Sequence, residues 1–196
     1  DALIYYTLDG SEPYPDRVGT VSFSYKNQYP YNPGDPFGEF LTASYRTYPY
    51  TDSIFVRNVA GETDSITHIS TTFHFEPYYF PLLPVFKGMV VRAAAFKEGM
   101  LKSTTITHSY FLTESGRERY TLPVFSICAD KDDLFDYDDG IYTAGVDYDN
   151  WRTENPEALH NWETLANFHR NGDQWEKRSN IEFFIPGNTR AEFSQE

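Results

Sequence analysis

The chain has 196 residues, a formal net charge of −13 at pH 7 and an aromatic fraction of 18%, with 16 tyrosines and 16 phenylalanines. This length allows one large or two modest domains, and we expect two. The abundant tyrosine favours β-sheet. The acidic charge repels phosphate backbones, so we expect no nucleic-acid partner.

A single cysteine, Cys128, cannot form an internal disulfide bond. No apolar run approaches the ~18 residues of a membrane-spanning helix, so we expect no membrane span in this fragment. The first ten residues, DALIYYTLDG, lack the basic start and cleavage site of a signal peptide. If the protein is exported, we expect its signal sequence upstream of Asp1.

The first third of the chain reads as a strand followed by a long loop. Residues 2–8 alternate and are rich in Ile and Tyr, and Asp9-Gly10 follows them as a tight-turn signal. Proline and glycine then punctuate residues 14–49, for which we expect a long loop with one hairpin.

Further strands are predicted up to residue 112. Residues 53–59 and 66–75 are rich in β-branched and aromatic side chains, and MVVRAAAF at residues 89–96 gives the clearest strand of this half. In residues 104–112, Ile106, His108 and Tyr110 share one face, as in a half-covered strand. The pattern predicts an antiparallel β-sandwich of about 110 residues.

A zinc site is one interpretation of His68, His74 and Glu76, which lie near one another in the sequence. The two histidines are six residues apart, and solitary strand histidines are more often structural. We therefore assign no metal ligand here.

Two segments, IYYTLDGSEP and VVRAAAFKEGMLKSTTITHSYFL, resemble the immunoglobulin-like domain at the C-terminus of chitobiases and β-hexosaminidases. The resemblance covers residues 2–112. It implies an immunoglobulin-like domain over residues 1–113 that is accessory rather than catalytic. Residues 114–120 are polar and contain Gly116, so we expect a linker there, short enough to keep two domains in contact.

An apolar segment at residues 123–129 opens the second half and predicts a buried strand. We interpret Cys128 within it as a small core residue rather than a nucleophile, because no basic residue adjoins it.

Six aspartates follow this strand closely and raise the possibility of a calcium site. Their spacing does not fit an EF-hand loop ending its turn at Gly140. A solvated turn, or a short helical turn capped by Asp130 and running through Leu134 and Phe135, is the favoured interpretation. The six are Asp130, Asp132, Asp133, Asp136, Asp138 and Asp139.

The next elements predicted are a short strand and loop over residues 141–151 and a helix over residues 155–170. Pro156 suits the first helical position, and Leu159, Trp162 and Leu165 form a stripe at helical spacing. NIEFFI at residues 180–185 predicts a final strand.

The second half resembles the start of the spore-coat kinase-like family called CotH, found in bacterial surface proteins. The matching segments are LPVFSICAD, LFDYDDGIY, WEKRSNIEFF and PGNTRAEFSQ, in that order within residues 120–196. The resemblance implies that residues 121–196 are the truncated N-terminal part of an atypical kinase. The complete parent would bind ATP and a divalent cation and phosphorylate a protein, with catalytic residues beyond this chain.

Kinase motifs themselves are missing from the sequence, which has no glycine-rich phosphate loop, HRD-like segment or DFG. We therefore assign no catalytic residue, metal ligand or cofactor to this fragment. The expected partner is the missing C-terminal remainder of the kinase-like domain, and the expected location is extracellular or at the cell surface.

The alternative function is a carbohydrate- or protein-binding surface module with no enzymatic role. Tyr148, Trp151 and Trp162 are candidate stacking platforms for sugars, with Asp149 and Asn150 as hydrogen-bonding neighbours. The competing interpretation buries these rings between the two domains. Exposure of two coplanar rings would favour binding.

The predicted fold is therefore mainly β, an antiparallel immunoglobulin-like β-sandwich followed by an incomplete α+β segment. The predicted function is that of a non-catalytic fragment of an exported bacterial CotH-like protein.

Overall fold

Two antiparallel β-sheets hold most of the regular structure, which confirms the prediction of a mainly β, sandwich-like fold. The computed structural model describes residues 1–69, 73 and 83–195, without the side chains of His68, Arg117 and Glu118.

The first sheet has five strands in the order β2-β3-β1-β4-β5. The β2–β3 pair is the expected hairpin, and residues 27–39 connect its strands. All five strands come from the first half of the chain. They are β1 (Leu3–Thr7), β2 (Gly19–Lys26), β3 (Phe40–Pro49), β4 (Met89–Phe96) and β5 (Ile106–Tyr110).

The last two of these strands lie where they were predicted. The strand predicted over residues 89–96 is β4. In β5, Thr107 and Ser109 are buried while Ile106 and Tyr110 are exposed, as predicted for a half-covered strand. The prediction succeeded here because β5 is a sheet edge with one solvated face.

Two other predicted strands are wrong. Residues 53–59 form no strand and pair with no described strand, and Phe55 is exposed there. Ile66–His68 is a 3₁₀ helix. Apolar composition alone is insufficient for a strand, because a strand also needs a partner for its backbone groups. Residues 70–72 and 74–75 of the second prediction lie outside the described residues.

The second sheet contains β6 (Val124–Ala129), β7 (Ser179–Phe184) and β8 (Phe193–Gln195), in that order. The strands predicted at residues 123–129 and 180–185 correspond to β6 and β7. Between them lie helices α1 (Lys131–Phe135) and α2 (Gly145–Glu154).

Helix α1 confirms the short helical turn predicted after Asp130, but α2 corrects the prediction that followed. Residues 145–151, expected in a strand and loop, are helical as part of α2, and residues 155–170 contain only irregular structure, turns and the 3₁₀ helix Asn167–His169. The stripe of Leu159, Trp162 and Leu165 that suggested the helix is exposed. Helix α2 instead buries Tyr148, Asp149 and Arg152, and two of these side chains are polar.

The second sheet has an unusual distribution of polarity. Its inner face carries the half-buried pair Val124 and Phe184 at one end, followed by Ser126, Cys128, Asn180 and Glu182, and the last three are buried. Its outer face carries apolar side chains that no described residue fully covers, with Phe125 at 62% and Ile127 at 69% exposure. The prediction that β6 is a buried strand is therefore wrong for its outer face. The large apolar side chains of the outer face are Phe125, Ile127, Ile181, Phe183 and Phe193, and Ala129, Ser179 and Gln195 lie at its margin.

The inner face meets the first sheet through polar contacts. The carboxylate of Glu182, which is 1% exposed, accepts the backbone N–H of Ser109 at 2.7 Å. The hydroxyls of Ser109 and Ser126 lie 2.7 Å apart, and the Cys128 thiol donates to the Gly10 carbonyl at 2.8 Å. The two halves of the chain are therefore in contact. The boundaries proposed at residues 113 and 121 stay a prediction.

The loop of the β2–β3 hairpin makes a second junction, with helix α2. The Tyr148 hydroxyl donates to the Pro30 carbonyl at 2.6 Å, and the Arg152 guanidinium donates to the Tyr31 carbonyl at 3.1 Å. Tyr29 packs edge-on against Tyr148, with ring centroids 5.9 Å apart. A shared hydrophobic core therefore joins the hairpin loop to the second half.

A buried ion pair reinforces this junction. The Lys26 ammonium pairs with Asp149, whose Oδ2 also accepts the Tyr137 hydroxyl at 2.9 Å. The rings of Phe40 and Tyr137 lie 4.7 and 5.0 Å from the ammonium, so aromatic faces replace much of its hydration.

Candidate functional site

Tyr148, the first of the three predicted sugar platforms, is fully buried at 0% exposure. Its ring stacks on Phe73 with centroids 4.4 Å apart and planes 4° from parallel. The interpretation of Tyr148 as a surface platform is therefore corrected. The ring is on the inward side of α2, where it belongs to the core.

Trp151 and Trp162 differ in their surroundings. Trp151 is half-buried, packs 5.7 Å from Tyr148 and carries the Arg152 guanidinium 4.6 Å from its centroid. Trp162 is 82% exposed, beside the exposed Leu159 and Leu165. No ring contact within the described ranges joins Trp162 to either of the other two. The coplanar exposed pair that would favour sugar binding is not formed by these residues.

The side chain of Asp130 does not cap helix α1, although it stands at the N-cap position. It accepts the backbone N–H of Glu12 and the Arg17 guanidinium, the latter at 3.1 Å. Burial raises the pKa of Asp130, Asp132 adds to the increase, and Arg17 opposes it. Asp130 thus fixes the position of the acidic turn on the first sheet.

The neighbouring aspartates are engaged in the same way. Asp132 accepts the Tyr45 hydroxyl at 2.9 Å, Asp133 pairs with Lys177 at 3.0 Å, and Asp136 accepts the N–H groups of Asp138 and Asp139. Across residues 1–69, 73 and 83–195, no three Asp, Glu, His or Cys side chains form a group suited to a metal ion.

A charged cavity of about 280 Å³ lies beside this turn. Arg92 pairs with Glu12 at 2.5 Å and stands 3.9 Å from Asp130. Lys102 also pairs with Glu12. Five carboxylates and four basic side chains line the cavity, so their charges nearly compensate one another and leave little excess for a charged ligand. Its chemistry is that of an ionic junction between the sheet and α1.

A second cavity, of about 320 Å³, lies where the expected linker meets the second sheet. Rings line it, with Phe111 edge-on to both Tyr120 and Phe184 at 5.7 and 5.5 Å between centroids. Leu122 and Pro186 complete its apolar wall. This cavity suits an apolar group and offers no set of reactive side chains.

Cys128 has the environment of a core residue, as predicted. It is buried, and burial raises the pKa of its thiol to about 11. The thiolate is the nucleophilic form, so this thiol is unreactive at neutral pH.

The zinc interpretation of His68, His74 and Glu76 concerns residues outside the description. His74 and Glu76 are not described, and neither is the side chain of His68. Separately, no helix among the described residues has the length and apolar character needed to cross a membrane.

Sequence reasoning missed the buried polar residues that hold the two halves together. Glu182 alternates with Ile181 and Phe183 in NIEFF, and this period-two signal, which was not used, could have placed it on the opposite face from the apolar pair. No local signal identified Lys26 and Asp149 as partners, because 123 positions separate them.

Comparison with protein-family models, curated proteins and solved structures found no match for this chain.

Proposed function

We propose that these residues are the non-catalytic N-terminal part of an exported bacterial CotH-like protein. In this proposal the first sheet is an accessory module, and the second sheet begins an atypical ATP-dependent kinase-like domain. The role of this part is to hold the start of that domain on a rigid support.

The arrangement of the three strands of the second sheet carries the proposal. Three segments that resemble the CotH family contribute β6, β7 and β8, which are adjacent in one sheet. Strands β6 and β7 are far apart in the sequence, since β6 ends at Ala129 and β7 begins at Ser179, and their pairing is what is expected of parts of one domain.

Buried contacts favour a supporting role for the first sheet. The contacts from Ser109 to Glu182, from Gly10 to Cys128 and from Lys26 to Asp149 all cross between the two halves. An interface with this many satisfied buried polar groups is costly to separate, because each group loses its partner.

The test starts with the intact mass and C-terminal peptide of the polypeptide from its native source. We expect a polypeptide that continues well past position 196 and binds Mg·ATP in calorimetry, whereas the 196-residue chain does not. A longer polypeptide that fails to bind Mg·ATP would overturn the kinase-like assignment.

A native C-terminus at position 196 would overturn the proposal in another way. The alternative, a carbohydrate- or protein-binding surface module, would then account for the chain. The exposed ring of Trp162 is the feature that supports it.

A further inference from the structure

The outer face of the second sheet exposes a contiguous group of large apolar side chains. Phe125, Phe183 and Phe193 pair across the three strands, with neighbouring ring centroids 4.7 and 5.6 Å apart. Ile127 and Ile181 form the adjacent apolar pair. An antiparallel sheet with one solvent-exposed face normally carries polar side chains on that face. The exposed face of this sheet instead carries phenylalanine and isoleucine side chains.

We propose that the outer face is the docking site of one amphipathic α-helix from the kinase-like remainder of the same polypeptide. This inference rests on the proposed function, and it specifies what the remainder contributes at this surface. The polar inner face already has its partners in the first sheet, so the apolar face is where a second layer belongs.

The width of the face selects one helix as the occupant. Adjacent strands lie about 4.8 Å apart, so the two outer strands of a three-stranded sheet are about 10 Å apart. A helix with its side chains is about 10 Å across. One helix therefore spans the row from Phe125 to Phe193.

Area and charge both disfavour a second copy of this chain as the occupant. The face is roughly 15 Å in each direction, on the order of 200 Å², given the strand spacing and rise. A stable dimer buries about 800 Å² on each partner. Two copies would also each bring a net charge of −13 to the contact.

The helix is expected to present apolar side chains at three- and four-residue spacing towards this face. The polar side chains of this face, Ser179 and Gln195, lie at its margin, so a polar group of the helix placed over the phenylalanines and isoleucines would lack a partner.

The experiment compares thiol labelling of F125C in the 196-residue chain and in the longer native polypeptide. Leu101, which is 97% exposed and distant in sequence from the second sheet, supplies the control L101C. Cys128 is buried in both variants. Circular dichroism checks that each variant folds as the parent does.

In the 196-residue chain we expect F125C and L101C to react equally fast. In the longer polypeptide we expect F125C to slow by about 100-fold or more, with L101C unchanged, because labelling then requires local opening. A photo-crosslinker attached at position 125 should mark residues three and four apart in the remainder.

Three outcomes would overturn the inference. If F125C stays reactive in a longer polypeptide that binds Mg·ATP, the inference of a docked helix is wrong, whereas the proposed function is unaffected. Crosslinks at two-residue spacing would indicate a strand. Protection of the 196-residue chain that rises with protein concentration would indicate a second copy. A native polypeptide that ends at position 196 would instead overturn the proposed function itself.

Discussion

Gly10 shows how a single residue meets two constraints at once. Its φ is +90°, a conformation that L side chains rarely adopt, and an added Cβ would lie 2.9 Å from the Cys128 sulfur. The Asp9-Gly10 turn was predicted from the sequence. The contact between this turn and the Cys128 sulfur was not predicted, because Cys128 is 118 positions away in the sequence.

We expect Gly10→Ala to lower the free energy of unfolding by about 2–5 kcal/mol, combining ~1–2 kcal/mol for the left-handed backbone with ~1–3 kcal/mol for overpacking. Gly34 is the matched control, because its φ is +84° and an added Cβ would meet nothing within 4 Å. Gly34→Ala should show the backbone cost alone. Urea denaturation measures both, and equal losses would contradict the packing argument.

At the scale of elements, the Lys26–Asp149 pair fixes the β2–β3 hairpin on helix α2. Both side chains are buried, and no described residue hydrogen-bonds Asp149 Oδ1. Removing one partner leaves an uncompensated buried charge, whereas removing both does not.

We expect Lys26→Met and Asp149→Leu to cost about 3–5 kcal/mol each. The double variant should be far more stable than the sum of the two losses predicts. The exposed pair Arg57–Glu62 is the control, and its single variants should each change stability by less than about 1 kcal/mol. Additive losses at Lys26 and Asp149 in a double-mutant cycle would show that the pair is not coupled.

The same pair explains why the helix of the second half was predicted in the wrong place. Helix α2 buries Asp149 and Arg152 against partners in the hairpin and its loop, so it lacks the apolar stripe that identifies a helix locally. Strand β5 was predictable because its alternation of exposed and buried side chains reflects the sheet itself. Long-range polar pairing leaves no such periodic signal.

At the scale of the molecule, tyrosines report the integrity of the interior. Burial raises the pKa of Tyr29 to about 12 and also raises the pKa values of Tyr45, Tyr137 and Tyr148. Hydrogen bonds from Tyr45 and Tyr137 to Asp132 and Asp149 add to this effect, because they favour the neutral phenol.

A raised pKa means that the folded protein holds the phenolic proton more tightly than the unfolded chain does. The corresponding stability is fully present below the ordinary tyrosine pKa of 10 and is lost as the pH rises through the folded value. We therefore expect tyrosinate absorbance to rise in two phases. The second phase should coincide with alkaline unfolding followed by circular dichroism.

Titration in urea supplies the reference for this prediction, since all 16 tyrosines are then exposed. A single phase in the folded protein, complete before any change in circular dichroism, would contradict the burial of these four rings.

The junction between the hairpin and helix α2 also has a consequence for synthesis. Lys26 and Asp149 are 123 positions apart, and Pro30 and Tyr148 are 118 apart. A ribosome adds ~5–20 residues per second, so the hairpin waits roughly 6–25 s for its helix. During that interval, Lys26 and several aromatic side chains of the hairpin, which are buried in the folded protein, are exposed to water on the nascent chain.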